Sequence, residues 1–393
     1  MTLSQERLTE VKSYFDNGDV HVGYRRLLDA SIETQDDSVY ESTLQFCDWY
    51  DDHVAANEKD TGVLHERVSS LLQIISNAAP PLTAPAQQPK LKAVSIGKTY
   101  NHGSFSLSAL DIELHPSQII GLVGENGNGK TTLLRLLYGE LLPDTGTLSY
   151  HLQSIPANYS FYDIKTRLSF IPQRPAAWYG SLMDNLQFTA THYGFKGRSN
   201  FLWTEMICAR MGLRPFRTYN WKRISSGYKM RFELAKALLK KPEILLLDEP
   251  LANLDVLAQQ VILEDLRFLA QSTHMPLGII LSSQQLYEVE KVSNQVIFLK
   301  QGKAKYQHTK SDTELPGATP LIIELETTAS REKLQELFAP VGLQHISFNG
   351  GVYIIYFEAG IQASEVIRRL GEGALPLKYF RDISSSSRRF FDA

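Results

Sequence analysis

The chain has 393 residues, a net charge of −3, 43% hydrophobic residues and 21% charged residues. This composition is that of core-forming domains in water and argues against a fibre, a disordered tail or a membrane-spanning bundle. The length predicts two or three domains, and no apolar run approaches the ~18 residues of a membrane helix.

Charge is unevenly placed. Residues 1–90 hold 15 Asp and Glu against 7 Lys and Arg, a balance of −8, whereas the remainder holds 28 against 33, a balance of +5. The acidic stretch reads as a solvated face, and no block is dense enough in Lys or Arg to predict nucleic-acid binding, so none is expected. The start "MTLSQERLTE" lacks the charged-then-apolar layout of a signal peptide. Two cysteines, Cys47 and Cys208, predict no disulfide framework, fit a reducing cytoplasm and read as small buried side chains.

In chain order, residues 1–78 carry apolar positions at helical spacing: Leu8, Val11 and Phe15, then Val20, Tyr24 and Leu27, then Tyr40, Leu44 and Cys47. "NGD" at 17–19 and "TQDD" at 34–37 break the pattern, which predicts a small N-terminal helical module with a partner still to be found. "NAAPPLTAPAQQPK" has no apolar period, and residues 79–90 are expected to be a linker. From residue 91 to 307, strand-like stretches ("QIIGLVG", "EILLLDEP", "LGIILSS") alternate with helical ones ("KTTLLRLLYG", "AQQVILEDLRFLA"). That alternation predicts an α/β layout on a mainly parallel sheet. A polar linker at 308–317 precedes residues 318–393, where strand, helix, two strands about a "GG" turn, helix and strand predict an α+β domain of ferredoxin-like βαββαβ order. The tail "ISSSSRRFFDA" is polar, then aromatic.

The strongest motif is "GLVGENGNGKTTLL", in which Gly124, four residues, then Gly129, Lys130 and Thr131 follow an apolar strand and open a helix. This is the P-loop context. Backbone N–H groups of Gly124, Glu125, Asn126, Gly127, Asn128 and Gly129 can face a phosphate there, and the helix start through Thr132 adds partial positive charge. Lys130 reaches outer phosphates and Thr131 offers its hydroxyl to Mg²⁺. "EILLLDEP" is the complement: Asp248 ends a buried strand and can hold Mg²⁺, and Glu249, one residue on, can polarise a water against the γ-phosphate.

"ISSGYKMR", which opens a helix just upstream of "EILLLDEP", resembles the LSGGQ signature of ABC ATPases, with Ser225, Ser226 and Gly227 in the phosphate-facing places. It departs from that pattern at Ser226 and Tyr228. Over residues 91–305 the order of motifs is similar to the same family, so the fold class expected is an α/β P-loop ABC ATPase cassette between the helical module and the βαββαβ domain. The resemblance implies an adenine-stacking role for Tyr100, a Q-loop role at Mg²⁺ or the attacking water for Gln173, and a D-loop ending at Asp255. The signature of one subunit then covers the P-loop nucleotide of another, which implies a dimer, in the simplest case of identical chains. One cassette followed by a small βαββαβ domain is similar to the ATPase subunits of ABC-2-type exporters. That implies ATP as ligand, a separate transmembrane permease subunit as partner, and a cytoplasmic place on the inner face of the membrane. A soluble, non-transport ABC ATPase is the alternative, which the extra helical module favours.

In "GIILSSQQLYEVE", Gln284 falls where the family has its switch histidine. An amide can donate to a phosphate but carries no positive charge, so slowed ATP hydrolysis is expected, with Glu249, Gln284 and Lys130 as the catalytic group.

Overall fold

Among the described residues four helices precede the first strand: α1 (Leu3–Asp16), α2 (Val20–Thr34), α3 (Asp37–His53) and α4 (Thr61–Ala78). They are described by a computed structural model covering residues 3–53, 61–80, 88–100, 105–153, 155, 158–309, 320–349 and 351–384. The breaks fall where local chemistry demands them. Gly18 turns at φ +84°, and Asp36 accepts from the Ser38 and Val39 amides at 2.7 and 3.3 Å to start α3. Phe15, Leu27, Val39, Leu71 and Ile75 meet in one core, and each such side chain contributes ~1.5–3 kcal/mol on burial.

The chain divides into two units, residues 1–285 with 298–305, and residues 286–297 with 306–393. The helical module therefore groups with the cassette. Its acidic face is not simply solvated, as charge alone suggested. Asp29, Glu33, Asp37, Glu41, Asp48 and Asp51 all bond to cassette residues, namely Arg210, Thr273, Ser199, Arg198 and, for the last two, Arg214. Asp29, Glu41, Asp48 and Asp51 thus meet arginines further along the same chain, and Glu33 and Asp37 meet hydroxyls.

The cassette follows as β1 (Leu91–Thr99), β2 (Ser106–Leu114), β3 (Ile119–Val123), α5 (Lys130–Leu137), β4 (Thr145–Tyr150), α6 (Phe161–Arg167) and β5 (Leu168–Ile171). Next come α7 (Leu182–His192), α8 (Gly197–Arg210), α9 (Ser226–Leu239), β6 (Ile244–Leu247), α10 (Val256–Ala270), β7 (Gly278–Ser283), α11 (Leu286–Val292), β8 (Gln295–Lys300) and β9 (Lys303–Thr309). One sheet runs β5-β6-β7-β3-β8-β9, and β1 lies instead in a separate antiparallel sheet, β2-β1-β4. The alternating burial of β2 is the mark of such a one-sided strand. By contrast β3, β6 and β7 are buried along their whole length, as parallel strands covered on both faces must be.

Parallel pairing of Val123 with Ser283, and of Leu247 with Leu281, brings the carboxyl ends of β3, β6 and β7 to one edge. Loops leaving that edge are where open α/β sheets place ligands.

In the second unit, β10 (Pro320–Thr327), α12 (Arg331–Phe338), β11 (Leu343–Asn349), β12 (Val352–Ala359), α13 (Ala363–Glu372) and β13 (Leu377–Asp382) follow each other. The sheet order is β11-β12-β10-β13, every neighbouring pair antiparallel. Leu334, Phe338, Phe357 and Val366 are fully buried in its core. Strand β9 continues to Thr309, two residues beyond the expected cassette end. Residues 81–87 and 310–317 of the expected linkers, Gly350 of the expected turn and residues 385–393 of the tail lie outside the described residues.

Candidate nucleotide-binding site

Between β3 and α5 the chain turns through Gly127 at φ +81° and Gly129 at φ +97°, conformations that cost a residue with a Cβ ~1–2 kcal/mol. Gly124 is constrained by space, because a Cβ there would stand 2.3 Å from the Leu299 carbonyl oxygen. These glycines let the loop fold tightly with its amides turned inward.

Lys130, at the start of α5, is 5% exposed. Its ammonium donates to the Gly124 and Glu125 carbonyls at 2.5 and 3.2 Å and lies 3.1 Å from Glu249 Oε1. That carboxylate oxygen is buried and outside hydrogen-bonding geometry with the ammonium, so the contact is an ion pair rather than a directed bond.

Thr131 Oγ1 donates to Asp248 Oδ2 at 2.8 Å. The other oxygen, Asp248 Oδ1, accepts from Ser282 Oγ at 2.7 Å, and Ser282 Oγ in turn accepts from the Glu249 amide at 2.8 Å. Glu249 itself sits at φ +50°, an αL conformation rare for a non-glycine residue. Strain of this kind, held by the Ser282 bond, is typical of positions where chemistry is done.

Gln284, just past β7, donates from Nε2 to Asn126 Oδ1 of the P-loop at 3.1 Å. The Gly124 amide donates to the Ser283 carbonyl at 3.3 Å, and the Gln301 amide to Asn128 Oδ1 at 2.8 Å. One edge of the sheet therefore gathers Gly124–Thr132, Asp248, Glu249 and Gln284. Ser282 joins them without having been singled out by motif. Its signal is an apolar strand that ends in two serines, Ser282 and Ser283.

The remaining sequence-predicted residues lie elsewhere. Tyr100 is 39% exposed, its ring 6.5 Å from that of Phe105, and Phe105 packs towards Gly129. Gln173, after β5, is exposed. Ser225 caps α9 by accepting from the Tyr228 amide, and Ser226 Oγ donates to the Asn253 carbonyl at 2.9 Å. Asp255 caps α10 by accepting from the Ala258 amide at 2.9 Å, and Gly227 faces Ala258 closely enough that an added Cβ would be 3.4 Å from it. The signature and the D-loop thus form one cluster, and among the described residues no hydrogen bond or ion pair joins Ser225–Gly227 to the P-loop of the same chain.

A glycine cradle at a helix start, a lysine inside it, and paired Thr and Asp oxygens beside a strained Glu define a P-loop nucleotide cassette. Residues 107–252 match the family model described as ABC transporter, so this part of the chain is similar to the ATP-binding cassettes of that family. The range contains the P-loop, Gln173, the signature, Asp248 and Glu249, and excludes Tyr100, Asp255 and Gln284.

The chain is 30% identical over 228 residues to the spermidine/putrescine import ATP-binding protein PotA of Mesoplasma florum, covering 56% of this chain and 62% of that protein. It is 28% identical over 234 residues to the phosphonates import ATP-binding protein PhnC of Bdellovibrio bacteriovorus, covering 56% and 88%. It thus spans less than two thirds of the first relative's length. Among solved structures, cbiO1 of Clostridium perfringens, part of the ABC transporter complex cbiONQ, superposes with a TM-score of 0.52 at 22% identity. The match covers 57% of this chain and 90% of that one, a likeness of fold.

Proposed function

We propose that the chain is the ATP-binding and ATP-hydrolysing subunit of an ABC transporter, acting as a dimer whose closure drives a separate membrane-spanning subunit. The observation that carries this is the single sheet edge holding Lys130, Thr131, Asp248, Glu249 and Gln284 together. The P-loop amides and Lys130 bind and orient the β- and γ-phosphates of ATP. Tyr100 stacks on the base. Glu249 orients the attacking water and accepts its proton, and the Ser282 bond to its amide fixes where that carboxylate points.

The oxygens of Thr131 and Asp248, 2.8 Å apart, suit a hard cation such as Mg²⁺, with Gln173 as a further oxygen donor. Bound there, Mg²⁺ supplies positive charge against the phosphate oxygens.

The separation of the signature cluster from the P-loop within one chain supports a dimer. Ser225, Ser226, Gly227 and Asp255 of one copy complete the nucleotide site of another, with two identical copies as the simplest arrangement. Tyr179 and Phe188, 90% and 70% exposed shortly after Gln173, offer apolar surface to a membrane partner, which would hold the subunit at the cytoplasmic face. The C-terminal unit, read as ferredoxin-like, supports export, although both named relatives are import proteins.

Two measurements test the reading. Purified chain should hydrolyse ATP in a magnesium-dependent way, and Lys130→Ala should remove both binding and turnover. Tagged chain drawn from detergent-solubilised membranes of its source cells should bring an integral membrane protein with it. Turnover without any such companion would favour a non-transport ATPase, and transport into inverted vesicles decides direction.

A further inference from the structure

The helical module and the cassette line a partly open cavity of about 190 Å³. At ~10–15 Å³ per water position it has room for roughly a dozen waters, less than a drug-sized ligand occupies. Trp203 and Ile207 of α8, Phe268 of α10 and Leu277 make much of its wall apolar. Two arginines interrupt that wall, Arg26 of α2 and Arg210 of α8, whose side chains are 7% and 0% exposed.

Neither guanidinium is fully bonded. Arg26 donates from Nη1 to Asp29 Oδ2 at 2.6 Å, and its carbon lies 3.1 Å from the centroid of the Phe268 ring. Stacking occupies the face of the group and leaves its in-plane N–H donors unused. Arg210 donates from Nε to Asp29 Oδ1 and from Nη1 to Asp265 Oδ1. Arg26 Nε, Arg26 Nη2 and Arg210 Nη2 remain buried, with no hydrogen-bond partner among the described residues.

Asp29 and Glu33, two carboxylates of the lining, already accept from other donors. Both Asp29 oxygens are taken by these arginines. Both Glu33 oxygens accept from Arg7, Ser272 and Thr273. Each buried donor left unmet costs ~1–3 kcal/mol, so three on two cavity-lining arginines call for an acceptor that the described residues do not provide. Arg7, Arg26, Arg210 and Lys241 line the cavity beside Glu10, Asp29 and Glu33, and behind Arg210 the Arg25 side chain pairs with both Asp265 and Glu264. Burial also holds the Arg26 guanidinium down at about 10 despite Asp29 beside it.

We propose that this cavity binds a small amphipathic monocarboxylate, its head bridging Arg26 and Arg210 and its apolar body lying along Trp203, Ile207 and Leu277. A planar carboxylate fits the fork of a guanidinium, and the apolar wall suits a hydrocarbon body that inorganic phosphate lacks. The ligand would tie α2 of the module to α8 of the cassette. It would therefore stabilise the docked module and be independent of the P-loop.

Titration calorimetry on the full chain, with hexanoate and phenylacetate as probes and hexanamide, phenylacetamide and inorganic phosphate as comparisons, tests this directly. The expected result is one carboxylate bound per chain with a raised unfolding temperature, about tenfold or more tighter than its amide and tighter than phosphate. Arg26→Gln should weaken binding about tenfold or more. Ala30→Phe fills the space while keeping both arginines, so it should abolish binding even if Arg26→Gln fails to fold. Lys130→Ala should leave carboxylate binding intact. The proposal is overturned if neither carboxylate binds at millimolar concentration, if amide or phosphate binds as tightly, or if a folded Ala30→Phe variant still binds.

Discussion

Gln284 Nε2 donates a hydrogen bond to Asn126 Oδ1 at 3.1 Å, joining the end of β7 to the P-loop. The contact ties the position expected to sense the γ-phosphate to the loop that cradles it, and it does so with a neutral amide. Gln284→His should raise ATP turnover, since one well-placed stabilising contact at a developing charge is worth ~10²–10³ in rate. Steady-state hydrolysis of the variant against the parent measures it, and an unchanged rate would show that this position does not limit the reaction.

Glu249 pairs with Lys130 at 3.1 Å and is held at φ +50°. Glu249→Gln keeps the size of the side chain and removes the base, so hydrolysis should fall by ~10²–10⁴ while nucleotide binding persists. A fluorescent ATP analogue reports the binding and phosphate release reports the chemistry. Loss of both together would assign the residue to binding instead.

Ser282 links the Asp248 carboxylate to the Glu249 amide. Ser282→Ala should lower stability by ~1–3 kcal/mol, because it strips a buried amide of its acceptor. Turnover should fall with little change in nucleotide affinity, and Ser282→Thr should restore most of both. Denaturant titration beside kinetics separates a positioning role from a merely structural one.

Arg210 is fully buried between Asp29 and Asp265. Arg210→Met should destabilise the chain by ~3–5 kcal/mol, since it leaves buried carboxylates short of a partner, and Asp265→Asn added to it should recover part of the loss. Burial by itself raises the Asp265 carboxyl, but the charges of Arg210 and Arg25 outweigh it and hold the group below its usual range. The resulting stability is present above the ordinary carboxylate value of ~3.9 and is lost as pH falls through the lower folded value. Acid unfolding of the parent should therefore be steeper than that of Arg210→Met.

Lys240 carries the opposite dependence. Burial, with the Lys165 charge adding to it, lowers its ammonium to about 8, although its Nζ donates to the Lys165 and Leu168 carbonyls at 3.0 and 2.6 Å. The unfolded side chain keeps its proton to ~10.4, so between these values the unfolded state binds more protons and this group makes stability rise with pH. Lys240→Met should flatten the rise in that window, read by denaturant midpoints at alkaline pH. An identical slope in parent and variant would contradict the assignment.

Much of the site was legible in advance because its residues are contiguous or close in motif. Gly124–Thr132 form one loop, and Asp248 and Glu249 end one apolar strand. Spacing alone set their chemistry, since a glycine cradle, a lysine and a helix start act together only in that order. The parallel strands were legible for a similar reason: a strand covered on both faces must be continuously apolar, as β6 and β7 are. Strands β2 and β4 were not singled out, since their half-buried, interrupted patterns resemble loops and their pairing partner is β1.

By itself, then, the sequence determined a P-loop motif and pointed to a lysine, magnesium-ligating candidates and a glutamine where the resemblance expects a switch histidine. Tertiary structure alone decided that Ser282 sets Glu249, that the acidic N-terminal helices pair with the cassette's own arginines, and that Arg26 and Arg210 share a cavity. The division has a physical cause. Local chemistry is written in neighbouring residues. An ion pair such as Arg210 with Asp29 spans 181 positions, and nothing in either stretch of sequence specifies its partner until packing brings the two helices together.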